Sequence, residues 1–147
     1  MRVTIVSVGH KMPGWIQDGF TEYTRRMPPE ARVELVELKP GKSKDDEGRA
    51  ILEAIPGGAT LLALDEHGKA ITTQGLSVML SGWMRDAIHP CFAIGGADGL
   101  SDEVKERASK LVSLSALTLP HQLVRVVLAE QLYRAWTILA RHPYHRE

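Results

Sequence analysis

Two side chains with distinct chemistry stand one helical turn apart in LSALTLPHQLVR, residues 114–125. His121 carries an imidazole, whose charge changes near neutral pH, so it can orient or accept a proton. Arg125 carries a guanidinium, which stays cationic. Pro120 lacks a backbone N–H and suits the start of a helix. The segment therefore predicts a helix whose first turns carry these two side chains. A structural histidine and a solvated arginine are the alternatives.

A second group of such side chains closes the chain. Pro143 ends the preceding helical pattern, and HPYHRE, residues 142–147, contains two histidines, a tyrosine and an arginine. A basic tail with rings suits stacking on a nucleobase and contact with phosphates, and a frayed terminus is the alternative. His142 and His145 could ligate a metal, but no cysteine or aspartate completes a ligand set, so no metal site is predicted.

Three segments that could bind a ligand follow apolar strand-like runs. They are LALDEHG (62–68), IGGADG (94–99) and LSALTLPH (114–121). Ligands of open α/β sheets bind beyond the carboxyl ends of the strands, where these segments are expected. Glycines in IGGADG allow close approach of a ligand to the backbone, but the pattern is neither a dinucleotide fingerprint nor a Walker phosphate loop. A plain turn and a core strand are the alternatives for the second and third segments.

The elements that must position these residues alternate between strand and helix. Strands are predicted at 2–9, 31–39 and 60–66, from 91 into the glycine loop, and at 111–119, where an extended loop is the alternative. Helices are predicted at 13–26, 49–55 and 71–87. Another begins after a cap at Ser101, and the last runs from Pro120 to about Arg141. A polar loop is predicted at 41–48. Apolar strands in this order predict an α/β fold with a parallel sheet covered on both faces.

The last helix is apolar over a wide arc, which requires two packing partners. One is its own sheet, and we expect the other to be a second subunit in a homodimer. The pattern places a few side chains on a more polar side of this helix: Gln122, Arg125, Glu130, Arg134 and Thr137.

Composition limits the class of protein. The 147 residues fit one domain, and 18 basic against 18 acidic side chains argue against a generic nucleic-acid binder. Basic side chains exceed acidic ones in residues 1–44, by eight to five, and in residues 111–147. No run approaches the roughly 20 apolar residues that span a bilayer, and the start lacks a secretory h-region. The single cysteine, Cys91, lies in an apolar run and is expected in the core of a cytoplasmic protein.

Several segments together resemble one known family along essentially the whole chain. They are MRVTIVSVGHKMPGWIQDGFTEYTRRMP, LALDEHGK, FAIGGADGLS, LSALTLPHQLVRVVLAEQLYRAW and the terminal HPYHRE. The chain resembles the bacterial rRNA large-subunit methyltransferases of the RlmH type, which are small SPOUT-class enzymes. The resemblance implies a single SPOUT domain over 1–147, a C-terminal trefoil knot and a homodimer. The knot and donor site would occupy roughly residues 60–140, and residues 141–147 would be an RNA-contacting tail.

The resemblance also implies an activity and its residues. S-adenosylmethionine would donate a methyl group to N3 of a pseudouridine in 23S rRNA within the assembled ribosome, without a metal or a membrane. Positions matching the donor site are Leu64, Gly95, Leu114, Ser115, Ala116, Leu117, Thr118 and Leu119. Positions matching substrate binding or catalysis are His121, Arg125, Tyr144, His145 and Arg146. His121 or His145 would accept the N3 proton, and an arginine would stabilise negative charge on the ring carbonyls.

One departure and two alternatives accompany this reading. Family members commonly carry Pro-Glu where this chain has Ala97-Asp98, so the carboxylate here is one methylene shorter. A SPOUT-like module that binds RNA or the ribosome without catalysis would have the same fold. A hydrolase using Asp98 and His121 would need a nucleophile at a sharp turn, and the chain contains no G-x-S-x-G motif.

Overall fold

The computed structural model describes residues 1–145 and contains one sheet of five parallel strands. The strand order is β2-β1-β4-β3-β5, so β1 lies between β2 and β4. The parallel α/β architecture predicted from the sequence is confirmed. The strands are β1 Arg2–Val8, β2 Arg32–Leu38, β3 Thr60–Ala70, β4 Pro90–Ile94 and β5 Lys110–Ser113.

Within residues 1–145, four α-helices connect the strands, a fifth follows β5, and 3₁₀ turns occupy Pro29–Ala31 and Pro143–His145. The predicted Ser101 cap is confirmed, because the Ser101 hydroxyl accepts from the N–H of Val104. Thr72 likewise caps α3. The prediction of a loop at 41–48 is wrong from Lys44 onward, where α2 begins. The helices are α1 Gly14–Thr24, α2 Lys44–Ala54, α3 Thr73–Arg85, α4 Asp102–Arg107 and α5 His121–Leu139.

The early start of α2 has a local cause. Ser43 is extended, and its hydroxyl accepts a hydrogen bond from the N–H of Asp46. Three acidic residues, Asp45, Asp46 and Glu47, occupy the first turn, where carboxylates interact favourably with the helix dipole. The polar segment is thus a capped helix start.

Two apolar cores lie on opposite faces of the sheet, as alternation along β1 requires. Val3 and Ile5 point towards α1, α3 and α5, and Val6 and Val8 point towards α2 and α4. Cys91 is fully buried in the second core, as expected. Both faces of the sheet are therefore covered by helices.

The three segments that the sequence predicts to bind a ligand lie at one edge of the sheet. β4 ends at Ile94 and β5 at Ser113, so the glycine segment and residues 114–120 form loops beyond the strand ends. The β3–β5 register shifts between Leu64 and Lys69, so the intervening residues bulge out of the ladder. Of the helices in the described part of the chain, none is long and apolar enough to span a membrane.

Candidate functional site

A cleft of about 600 Å³ opens at the carboxyl edge, over β3, β4 and β5. All three segments selected from the sequence contribute to its wall. Of the eight predicted donor-site residues, Ala116 does not line it. The other seven do: Leu64, Gly95, Leu114, Ser115, Leu117, Thr118 and Leu119. Apolar side chains from the strand ends and polar side chains from the loops share its wall.

The loop of residues 114–119 is fixed by its own hydrogen bonds. The Ser113 hydroxyl donates to the carbonyl of Ser115 at 2.9 Å, and the Ser115 hydroxyl accepts from the N–H of Leu117 at 2.9 Å. The Thr118 hydroxyl donates to Oε2 of Glu66, 3.1 Å away on the β3 bulge. The loop is thereby tied to the opposite wall of the cleft.

The glycine loop forms a cradle that only glycine can make. A Cβ added to Gly95 would lie 2.6 Å from the carbonyl carbon of Gly99, which no real side chain tolerates. The N–H of Gly99 donates to the carbonyl of Gly96 at 3.0 Å, and Gly99 has a φ of +81°. The loop backbone is therefore packed so tightly on itself that Gly95 has no room for a side chain, and Gly95 and Gly99 both line the cleft. Asp98 lines the same cleft.

Carboxylates and cations alternate around the cleft. Asp65 is paired with Lys105 at 3.4 Å, and Glu66 lies 3.4 Å from the imidazole of His67. Lys44 also lines the wall. The cleft is therefore polar at its rim and apolar along the strand ends, which fits a nucleoside with an amino-acid tail.

His121 lines the cleft from the first turn of α5, where the sequence predicted it. Arg125, one turn further, does not line it. Its side chain is 2% exposed, and it donates to Oε2 of Glu37 at 2.6 Å, to Oγ of Ser7 at 2.9 Å and to the carbonyl of Gly9 at 3.4 Å. The guanidinium thus joins α5 to the carboxyl ends of β1 and β2.

The polar side expected for α5 is partly wrong. Arg125 and Thr137 are buried, whereas Gln122, Glu130 and Arg134 are half-buried. Arg125 reaches inward because Glu37 and Ser7 supply a charge and a hydroxyl inside. Thr137 satisfies its hydroxyl by donating to the carbonyl of Arg134 at 2.6 Å.

The tail lies at the other end of α5. The Tyr144 hydroxyl donates to Oε2 of Glu130 at 2.7 Å, and its ring centroid lies 4.7 Å from that of Tyr133. Burial and this carboxylate raise the pKa of Tyr144 above its usual range. The carbonyl of His145 lies 3.5 Å from Nη1 of Arg134. Arg146, the last predicted site residue, lies outside the described residues.

The length of α5 separates the tail from the cleft of the same chain. His121 is the first residue of α5, and Tyr144 packs on Glu130 and Tyr133, which lie 9 and 12 residues further along the helix. At 1.5 Å per residue, these contacts are about 14–18 Å from His121 along the helix axis. One chain therefore does not bring Tyr144 and His145 to His121.

The contacts of three residues in these networks were not predicted from the sequence: Glu37, Glu66 and Glu130. Glu130 precedes Arg134 by four residues, a helical ion-pair spacing that could have identified it. Glu37 is 88 residues from Arg125, and Glu66 is 52 from Thr118, so no local pattern indicates either pair. Within residues 1–145, no group of three or more potential metal ligands is present.

Comparison with known proteins gives consistent matches. A family model described as a predicted SPOUT methyltransferase matches residues 1–145. The proteins named ribosomal RNA large subunit methyltransferase H from Burkholderia ambifaria and Burkholderia lata are each 54% identical over 155 aligned positions, which cover 99% of both chains.

The SpoU methyltransferase AviRb from Streptomyces viridochromogenes, solved in complex with AdoMet, is a structural neighbour. Its TM-score is 0.50 at 14% identity, and the match covers 94% of this chain and 61% of the AviRb chain. A second AviRb structure gives 0.52 at 15% identity, over 94% of this chain and 60% of that one. The likeness concerns the fold.

Proposed function

Because the chain belongs to the SPOUT methyltransferase family, we propose that it methylates N3 of a pseudouridine in 23S rRNA, within the assembled ribosome. S-adenosylmethionine is the methyl donor. The observation that carries the proposal is the cleft, to which all three segments chosen from the sequence contribute. Near-complete alignment with proteins named ribosomal RNA large subunit methyltransferase H supports the choice of RNA.

The cleft fits the donor. Leu64, Gly95 and the loop of residues 114–119 would hold it, with the backbone of the glycine cradle and apolar contacts along the strand ends. When bound, S-adenosylmethionine supplies an electrophilic methyl group on a sulfonium. The task of the protein is to align that group with N3 and exclude competing orientations. We place the donor site and a trefoil knot within roughly residues 60–140 of one domain.

Methylation of N3 releases its proton, so a base must stand near the cleft. His121 lines the cleft directly after the donor loop, whereas His67, which also lines it, lies against Glu66. We assign proton acceptance to His121. His145 from a second subunit is the other candidate. An aqueous proton sink outside the cleft completes the transfer.

Arg125 works at one remove from the reacting atoms. Its guanidinium is committed to Glu37, Ser7 and the carbonyl of Gly9. It would hold the first turn of α5, which carries His121, against β1 and β2. We therefore propose a positioning role for Arg125 in catalysis.

A second copy of the chain would complete the site. Tyr144 packs about 14–18 Å along α5 from His121 of the same chain, so an antiparallel partner could bring Tyr144, His145 and Arg146 to the cleft. α5 retains half-buried apolar side chains after packing in one chain, including Leu123 and Val127. Trp15, 64% exposed, lies one turn before Gly19, whose backbone packs on Val126 of α5. This apolar strip suits a homodimer contact. We place the protein in the cytoplasm, together with the ribosomes on which it acts.

Methyl transfer to intact ribosomes tests the proposal. Labelled S-adenosylmethionine is supplied with ribosomes from a strain lacking the activity, and with ribosomes lacking pseudouridine. We expect label in 23S rRNA that depends on pseudouridine. Donor binding by calorimetry without any label would leave a SPOUT-like module that binds without catalysis. Label that persists without pseudouridine would refute the assigned substrate.

A further inference from the structure

Four lysines without an ion-pair partner lie on the loops that follow β1 and β2 and at the start of α2. They are Lys11, Lys39, Lys42 and Lys44, and all are exposed. Within residues 1–145, no carboxylate is within ion-pair distance of any of them. We propose that this lysine surface binds the phosphates of the rRNA strand flanking the nucleotide that enters the cleft. The inference rests on the proposed function and names a contact site for its substrate.

The nearby carboxylates leave most of this charge uncompensated. Glu37 and Asp46 are each paired with an arginine, and Glu47 is buried, where it accepts from the N–H of Gly41 at 3.1 Å. Asp45 is the exposed carboxylate that remains on this segment without an arginine or lysine within ion-pair distance. Four cations facing one such carboxylate form a local positive field on a chain whose net charge is zero.

The loop that carries Lys11 is held in a special conformation. Lys11 has a φ of +55°, a region that non-glycine residues rarely adopt, and it follows Gly9 with a φ of +131°. The side chain of Met12 is buried, and the amide of Gln17 donates to its carbonyl at 3.0 Å. Arg125 binds the carbonyl of Gly9. A lysine held outward by a strained, anchored backbone is typical of a binding site.

The lysine surface and the cleft share one edge of the sheet. The cleft lies over β3, β4 and β5, and the lysines follow β1 and β2, which complete the sheet. Lys44 belongs to both, because it lines the cleft wall. Strands lie about 4.8 Å apart, so β2 is roughly 14 Å from β3. A nucleotide seated in the cleft therefore leaves its neighbouring phosphates within reach of the lysines.

The chemistry of the surface favours positioning over sequence reading. Lysine acts as a point charge on phosphate oxygens, and such contacts fix register without identifying bases. Since attraction to RNA must come from a local patch on this neutral protein, the lysine surface is where we place it. An acidic protein surface would satisfy the same charges and is the competing outcome of the test.

The triple variant K11Q/K39Q/K42Q tests the inference, and Lys44 is left intact because it lines the donor cleft. The KM for ribosomes is measured between 50 and 200 mM salt, with donor affinity measured by calorimetry. Losing three single-strand phosphate contacts lowers the slope of log KM against log salt by about 2. The wild-type KM should therefore rise about 20-fold more than that of the variant over this range.

A charge-matched control is R32Q/R107Q/K110Q, which removes three exposed cations near the opposite edge of the sheet. It should retain the wild-type slope, and K11R/K39R/K42R should restore it. An unchanged slope in the triple variant, with wild-type methylation intact, would overturn the lysine surface and spare the proposed function. No methylation by the wild type would overturn the proposed function instead. A photo-cross-linker replacing Lys42 should label rRNA, and labelling only of a ribosomal protein would also overturn the inference.

Discussion

The substitution Arg125→Met should destabilise the protein by about 3 kcal/mol, because it breaks a buried ion pair. Such losses are typically about 3–5 kcal/mol. The lower end applies since the carboxylate partner, Glu37, is 37% exposed and regains water. Methionine fills most of the arginine volume, so little of the loss arises from a cavity. At about 2–4 °C per kcal/mol for a chain of this size, Tm should fall by about 9 °C.

Urea unfolding measures the loss of stability, and a double-mutant cycle shows how much of it comes from the pair of Arg125 and Glu37. Glu37→Gln alone leaves a buried guanidinium without its anion, so the double variant Arg125→Met/Glu37→Gln should lose at least about 1 kcal/mol less than the two single losses together. Arg25→Met is the matched control. It removes an exposed arginine paired with Glu22 and should cost less than about 0.5 kcal/mol.

Enzymatic measurements separate the positioning role from stability. At a temperature where each variant is folded, Arg125→Met should lower kcat on ribosomes while the donor Kd stays within about threefold, since Arg125 does not line the cleft. A stability loss below about 1 kcal/mol, together with a coupling energy near zero, would refute the network. A collapse of donor affinity would assign Arg125 to the donor site.

Three further outcomes are expected. Gly95→Ala should weaken donor binding at least about tenfold by calorimetry, because its Cβ would meet the carbonyl carbon of Gly99 at 2.6 Å; unchanged affinity would contradict the cradle. Spectroscopic pH titration should show one tyrosine ionising above the usual range, and Tyr144→Phe should remove that step, because burial and Glu130 raise the pKa of Tyr144. Burial raises the pKa of Cys91 to about 11, so a disulfide reagent at pH 8 should label the unfolded protein and spare the native one.

Local signals were sufficient for most of the fold. The apolar runs predicted β1 to β4, and Ser101 marked the start of α4 because a side-chain cap is a contact between close neighbours in sequence. The cleft was predictable by the same route, since parallel strands bring their carboxyl ends to one edge. The start of α2 was missed although Ser43 and three acids signalled it.

Contacts between distant segments were not predictable. The sequence assigned Arg125 to the substrate site, with a solvated side chain as the alternative. Its burial was not predictable, because a charged side chain is normally exposed and its carboxylate partner is 88 residues away. The separation of Tyr144 from His121 depends on where the tail folds back along α5, which no motif indicates. A resemblance assigns residues to a site, but only the structure shows which of them one chain brings together.

The internal position of β1, between β2 and β4, has a consequence for how the chain is made. β1 pairs with β4 on one side, and the Ser7 hydroxyl of β1 accepts a hydrogen bond from Arg125, which is 118 residues away. Translation at about 5–20 residues per second leaves that side of β1 unpaired for roughly 3–11 s after β2 is complete. Contacts of such long sequence separation also slow folding itself. During synthesis the strand RVTIVSV therefore has an unpaired edge that can pair with other chains. Chains that stop before Pro90 should aggregate rather than fold.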